Sequence, residues 1–324
     1  GAGTAAVIAV LGLSGCAFNP LSTFTTPTID QIERETVTPA VSDDALVTPG
    51  TLTVALDTSD APQAMQGSDG NLTGYAVDAA RALASRMGLK VAFVDASSAN
   101  SALGDKKADI FIGDINSTDG DISTLGTCLY DAAAVFGKTS DGESLSVSTE
   151  KLNTATLGVQ ASSASREALA KQSVTANQKT FSNINECFEA LESGAVDYVI
   201  CDSTAGGYLA RLMSQISYVG VLETPSTLGV AGLAANDELC RAVGDALDGI
   251  TADGTLEAVH SVWYGTMPYD LTTKTVSGAD VQSTDTGSSE SASSDSSSEG
   301  ATSENKSSSQ EGTITDDDIN KLNS

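Results

Sequence analysis

The chain has 324 residues, and 43 acidic side chains against 16 basic ones leave it with a net charge of -27 at pH 7 and a pI near 4.1. That balance excludes nucleic-acid phosphates as a partner, because a nucleic-acid binder needs a basic footprint. Apolar residues concentrate between Val47 and Lys274. A segment of that length can bury a core, and the expectation is that the polar ends stay outside it.

In chain order, Gly1 to Gly15 are small or apolar and uncharged, and they run into Leu13-Ser14-Gly15-Cys16. This segment resembles a bacterial lipoprotein signal. The resemblance implies cleavage before Cys16, a diacylglyceryl group on its thiol, and a membrane anchor of two acyl chains. The apolar run is too short to span a bilayer. Residues 17–46, rich in Thr and Pro, read as a tether. Thr51 to Leu56 alternates like a strand, Val77, Ala80, Ala84 and Met87 share one helical face, and Gly88 closes that helix. Val91 to Val94 is the next strand. The scheme repeats with a strand over Thr156 to Val159, helices over Ser165 to Lys171 and Ile184 to Leu191, and a strand over Tyr198 to Ile200. Helices over Asp237 to Ile250 and Leu256 to Tyr264 close an α/β region with predominantly parallel sheets. Residues 275–324 are dominated by Ser, Gly and acidic residues and are expected to be disordered.

One unit occurs twice: Ala102-Leu103, Asp109, Ile112, Asp114 and Ala190-Leu191, Asp197, Ile200, Asp202 both read A-L-x5-D-x2-I-x-D. Ligands of open α/β sheets sit outside the carboxyl ends of strands. Two lobes each ending such a strand in an aspartate would face each other across an acidic cleft. Chance similarity between two helix-strand units is the competing explanation.

Gly50-Thr-Leu-Thr-Val-Ala-Leu-Asp57, Asp69-Gly70, Gly74-Tyr75-Ala-Val-Asp78 and the run ending Arg86-Met-Gly88 resemble the extracellular solute-binding proteins of polar amino-acid ABC importers, family 3. Further matches are Leu157-Gly-Val-Gln160, Gly194-Ala-Val-Asp197, Tyr208-Leu-Ala210, Asp253-Gly254 and Trp263-Tyr264-Gly265. The resemblance implies a two-lobed periplasmic-binding-protein type II fold with two crossover hinge strands, flanked by disordered tails. Lobe I would take residues 47–135 and 228–274 and lobe II residues 136–227, with crossings near Ala132 to Gly137 and Val219 to Val230. It also implies a small-molecule ligand, an amino acid or amine, an ABC permease as partner, a monomer at the cell surface or in the periplasm, and no cofactor.

In that family an arginine of lobe I grips the substrate carboxylate and an aspartate of lobe II holds its amino group. Asp202 matches the aspartate, and Ser162 and Ser163 match a hydroxyl-bearing turn. The arginine position falls at or near Asp119, and there is no Arg or Lys between Lys107 and Lys138. Asp60 and Gln63 stand where aromatic residues are common. Asp57, Asp60, Asp114, Asp119 and Asp202 together in one cleft would repel, since two like charges about 4 Å apart cost about 4 kcal/mol at an effective dielectric of about 20. Either the ligand is cationic or some of these side chains serve solvated turns and loop caps. The loop around Asn116, Asp119 and Asp121 misses the calcium pattern. No metal site is expected.

Cys128, Cys187, Cys201 and Cys240 allow three pairings in an exported chain, and Cys187 with Cys201 is the expected pair if any forms. The only histidine, His260, is expected on a helix surface or in packing rather than in catalysis. No hydrolase, protease or nucleotide-binding motif is present, so no catalytic residue is expected. Two readings stay open beside transport: a ligand sensor that reports to a receptor, and a dehydratase-type enzyme on the same fold.

Overall fold

The computed structural model describes residues 37–282 except 117, 140–144 and 162. The signal segment with Cys16, tether residues 17–36, Ser162 and the tail from residue 283 lie outside the described residues.

The first part of the chain forms β1 (Thr51–Leu56), a hairpin of β2 (Met65–Gln66) and β3 (Leu72–Thr73), α1 (Tyr75–Arg86), β4 (Lys90–Asp95), α2 (Ala99–Gly104), β5 (Ile110–Asp114) and β6 (Ile122–Asp131). It then crosses into β7 (Ala133–Lys138), α3 (Thr149–Asn153), β8 (Thr156–Gln160), α4 (Ser165–Lys171), β9 (Asn177–Phe181), α5 (Ile184–Glu192), β10 (Tyr198–Asp202), α6 (Ser203–Ala210) and β11 (Ile216–Val221). The return strand β12 (Ser226–Leu233) leads to α7 (Asp237–Ala252) and α8 (Thr255–Tyr264). Two mixed sheets result, ordered β4-β1-β5-β12-β6 and β11-β7-β10-β8-β9. In each, three neighbouring strands keep the parallel scheme expected of βα units, and the crossing strands β12, β6, β7 and β11 complete the sheet with antiparallel pairs. The expected two-lobed α/β architecture is therefore present.

The apolar face of α1 forms as its spacing requires, with Val77, Ala80, Ala84 and Met87 all buried. Gly88 ends the helix at φ +69°, a left-handed conformation that glycine adopts without a Cβ penalty. A Cβ there would lie 2.6 Å from the Val37 carbonyl oxygen.

That contact shifts the first boundary. Residues 37–46 read as tether in the sequence, yet Val41 and Leu46 are buried in the core. Ala40 N–H donates to Met87 O, Ser42 N–H donates to the Glu238 carboxylate at 2.7 Å, and Asn236 donates to Ala45 O. Two apolar side chains in an otherwise polar segment suffice to dock it. The first crossing lies at Asp131–Ala133, at the start of the expected range, and the second between Val221 and Ser226, inside the expected one. After α8 the chain leaves the first lobe: Leu271 O accepts from Tyr218, Val276 N–H donates to Val221 O, Val221 N–H donates to Lys274 O, and Ser277 bridges to Ser148. Residues 275–282 thus cover lobe II, with Val276 fully buried, rather than opening the tail.

The duplicated unit has the same geometry twice. Asp109 N–H donates to Thr53 O while its carboxylate accepts from Thr53 N–H at 2.6 Å; Asp197 N–H donates to Thr156 O while its carboxylate accepts from Thr156 N–H at 2.7 Å. Asp109 thus fastens β1 to β5, and Asp197 fastens β8 to β10. The helix ends match as well, since Lys107 N–H bonds Ala102 O and Ala195 N–H bonds Ala190 O. Four residues into each unit the backbone turns left-handed, at Gly194 with φ +77° and at Lys106 with φ +51°. A side chain in that conformation costs about 1–2 kcal/mol, and the greater freedom of glycine in the unfolded chain offsets about 0.4–1 kcal/mol. Lys106→Gly is therefore expected to raise Tm by about 1–3 °C at about 2–4 °C per kcal/mol. A calorimetric scan showing a lower Tm would contradict this account of the repeat.

Candidate functional site

The carboxyl ends of β1, β5 and β6 lie along one edge of the first sheet, because β5 is parallel to β1 and both β5 and β6 are antiparallel to β12. The carboxyl ends of β8 and β10 share an edge of the second sheet. Asp57 comes directly after β1, Asp114 ends β5, Asp131 ends β6 and Asp202 ends β10. The crossing of only one residue between β6 and β7 joins the two edges, and Ala133 is the register partner of Asp202.

Asp131 is the hub. Its part-buried carboxylate accepts from Ser203 Oγ (2.6 Å), Thr204 N–H (3.1 Å), Thr204 Oγ1 (3.1 Å) and its neighbour's N–H at Ala132 (3.0 Å). Burial raises its pKa while these bonds lower it. Glu223, at the second crossing, accepts from Ala133 N–H at 3.0 Å. Asp202 occupies the cap position of α6 but forms no cap bond with its side chain. Protein around it, then the charges of Asp131, Glu223 and Asp60, push it up to about 6. Asp60 is raised by burial, then by Asp57 and Asp131. Asp202 thus feels Asp131, Glu223 and Asp60, and Asp60 feels Asp131; among the described residues none of the four belongs to an ion pair. Among the described residues, no three such groups are placed to share a metal ion.

The expected site residues divide accordingly. The structure brings Asp60 and Asp202 together, with Asp57 beside Asp60 and its carboxylate fixed by Ser59 N–H and Oγ at 2.9 and 2.6 Å. Asp114 and Asp119 are not among the charges that raise Asp60 and Asp202. Asp114 instead accepts from Asn116 N–H, and Asp119 N–H donates to Asn100. Both are exposed residues; the Asp114 bond is a local turn bond, and the Asp119 bond reaches back to α2. Ser163 comes shortly after β8, next to the β10 edge, and its hydroxyl is buried without a partner. Gln63 is not open to solute, since it is buried and accepts from the Tyr264 hydroxyl. Asp131 and Glu223 escaped the sequence reading. The signal for Asp131 was its place after Leu129-Tyr130, where a crossing strand must end, with the Ser203-Thr204 pair that binds it seventy-odd residues later.

The four described cysteines, Cys128, Cys187, Cys201 and Cys240, are free thiols, so the Cys187–Cys201 pair is not formed. Cys187 Sγ lies along its own helix, 3.5 Å from Asn183 O. His260 is buried between Tyr75, Tyr264 and Tyr269, with ring centroids 4.9–6.2 Å away. Desolvation lowers its pKa to about 4, so it is neutral at pH 7. It is a packing residue.

A model of the bacterial extracellular solute-binding proteins, family 3, matches residues 52–121. The L-cystine-binding protein TcyJ of Escherichia coli (strain K12) is 26% identical over 225 residues, covering 67% of this chain and 83% of that protein. This chain is a homologue of the family 3 solute-binding proteins. The solved structure of an ancestral cationic amino acid solute-binding protein is 26% identical and covers 66% of this chain and 96% of that one at a TM-score of 0.55. A polar amino acid ABC uptake transporter substrate-binding protein from Streptococcus thermophilus, 18% identical, shares the fold at a TM-score of 0.61 over 69% of this chain and 88% of its own. The two lobes thus have the fold of the type II periplasmic binding proteins. Asp131 ends β6 at the first crossing, and Asp202 ends β10 as the register partner of Ala133 just beyond it.

Proposed function

We propose that this chain is the substrate-binding component of an ABC importer and that it captures a small amino-acid-like solute carrying positive charge between its lobes. The observation that carries this is the convergence of Asp60, Asp131, Asp202 and Glu223 with no ion-pair partner among the described residues. The charge of Asp131 raises the pKa of both Asp60 and Asp202, and a bound cation removes that repulsion. An arginine-like clamp for a substrate carboxylate is absent from the expected loop. The relatives fit this chemistry, because a cationic amino acid and L-cystine, the ligands in two of their names, each carry two positively charged groups. Lobe closure would come from contacts to both sides, as a ligand with no preference between open and closed states shifts nothing. Cys16 would anchor the mature chain to the membrane, where it acts as a monomer delivering solute to a permease.

A thermal-shift screen of purified protein tests the ligand class. Lysine, arginine, ornithine or cystine should raise Tm, and glutamate and aspartate should not. Stabilisation by acidic amino acids alone would refute the reading.

A further inference from the structure

The lobes also meet away from the crossings. Helix α6 joins β10 to β11 in the second sheet, whereas α8 packs on α1 and α7 of the first lobe, and the two helices lie against each other. Two consecutive glycines in α6, a residue type that weakens helices, make room for this approach. A Cβ on Gly207 would lie 2.9 Å from Met267 Sδ and 3.3 Å from Tyr264 Cβ, and Gly206 sits against Phe136 of β7. At the contact Tyr208 of α6 stacks on Trp263 of α8, with ring centroids 6.0 Å apart and 16° between their planes. Trp263 Nε1 donates to the Asp78 carboxylate of α1 at 2.9 Å, and the Arg211 guanidinium lies over the Tyr208 ring, 3.8 Å from its centre. A run of side chains from Asp78 to Arg211 thus passes from one lobe to the other. The second sheet is ordered β11-β7-β10-β8-β9, and α6 reaches over β7 and β11. The contact with α8 is therefore on the side of the crossing strands, and the cleft ends of β10 and β8 are on the other.

We propose that the Tyr208–Trp263 stack is a latch between the lobes, made when the cleft is open and parted when it closes. Rotation about the crossings that carries the β10 and β8 ends toward the first lobe draws α6 off α8, so the latch opposes closure. Loosening it raises the fraction of protein that can close, and with it the apparent affinity for a solute that favours the closed state. The inference rests on the proposed cleft only for the solute that drives closure.

Trp263 is the one tryptophan of the chain, so labelling with 5-fluorotryptophan gives the latch a single 19F signal. L-arginine should move that signal saturably, with the midpoint that calorimetry gives for binding. Tyr208→Ala should tighten L-arginine binding about two- to tenfold, the weight of one aromatic pair. Trp263→Leu should do the same, and the double variant should gain no more than either alone, because both break one stack. Unchanged or weaker binding by Tyr208→Ala, additive gains in the double variant, or a 19F signal that stays fixed on binding would overturn the proposal. If L-arginine gives neither heat nor a thermal shift, the cleft reading fails and ligand-free protein decides for the latch. Nitroxides on Ser97→Cys, just after β4, and Glu167→Cys, in the first turn of α4, both exposed, would then be measured by double electron–electron resonance with Cys16→Ser and Cys240→Ser in place. Tyr208→Ala should show a larger share of short interlobe distances than the latch-intact protein, and equal distributions would overturn the proposal.

Discussion

Replacing Asp202 by alanine is expected to weaken binding of a basic amino acid about tenfold or more, since a charge-assisted hydrogen bond contributes about 1.5–3 kcal/mol and each 1.4 kcal/mol is tenfold. The same carboxylate makes binding depend on pH. With its pKa at about 6, Asp202 is ionised at pH 8 and about one-tenth ionised at pH 5. Affinity for a cation should therefore fall roughly tenfold between those two values, and Asp202→Asn should flatten the profile. Stability carries the opposite sign. The folded carboxyl titrates above its ordinary 3.8, so its contribution is complete below about pH 4 and is lost as pH rises through about 6. A cationic ligand restores it, and ligand-induced Tm gains should be larger at pH 8 than at pH 5. His260 works the other way, because its folded pKa of about 4 lies below the usual 6.5 and stability is lost as pH falls between them. The decisive comparison is ligand-bound against ligand-free protein at each pH, by calorimetry. Equal affinity of the wild type at both values, or of Asp202→Ala and the wild type, would remove Asp202 from the site.

How far the sequence led is clear from the duplicated unit. Strand periodicity and the A-L-x5-D-x2-I-x-D repeat placed both lobes, because local alternation and a strand-fastening aspartate are encoded within a few residues of each other. The repeat did not tell which aspartate serves which purpose. Asp114 and Asp202 occupy matching positions, yet Asp202 opens onto the hinge cluster while Asp114 is engaged by Asn116. The difference lies in the segment after each strand: α6 begins at once after Asp202, whereas a loop succeeds Asp114. Asp131 and Glu223 were illegible for a related reason. Their partners, Ser203, Thr204 and Ala133, become neighbours only when the crossings close, so nothing adjacent in the chain marks them. The boundaries at residues 46 and 275 misplaced short segments for a simpler cause, namely that Val41, Leu46 and Val276 are single apolar residues in polar surroundings and carry no period.

Asp131→Ala is expected to be the most destabilising single change at the hinge. Its carboxylate satisfies two hydroxyls and two backbone N–H groups, at Ser203, Thr204 and Ala132, and alanine leaves the Thr204 and Ala132 donors without that acceptor. Bonds to a charged group are worth about 1.5–3 kcal/mol each in isolation. Relief of repulsion with Asp60 and Asp202 offsets part of the loss, because Asp131 is a cause of the raised pKa of both. A net cost of about 2–3 kcal/mol remains by that reckoning, a fall in Tm of about 4–12 °C at about 2–4 °C per kcal/mol. Asp131→Asn separates the two contributions. Its amide oxygen still accepts from Ser203 or Thr204, so Tm should fall less, while removal of the charge should bring the Asp202 titration below about 6. A scan of both variants together with an NMR titration of Asp202 reads each effect. If Asp131→Ala left Tm unchanged, the bonds from β6 to the start of α6 would not hold the crossing; if Asp131→Asn left the Asp202 midpoint where it is, the two carboxylates would not share a field, and the case for a cationic solute between them would fail.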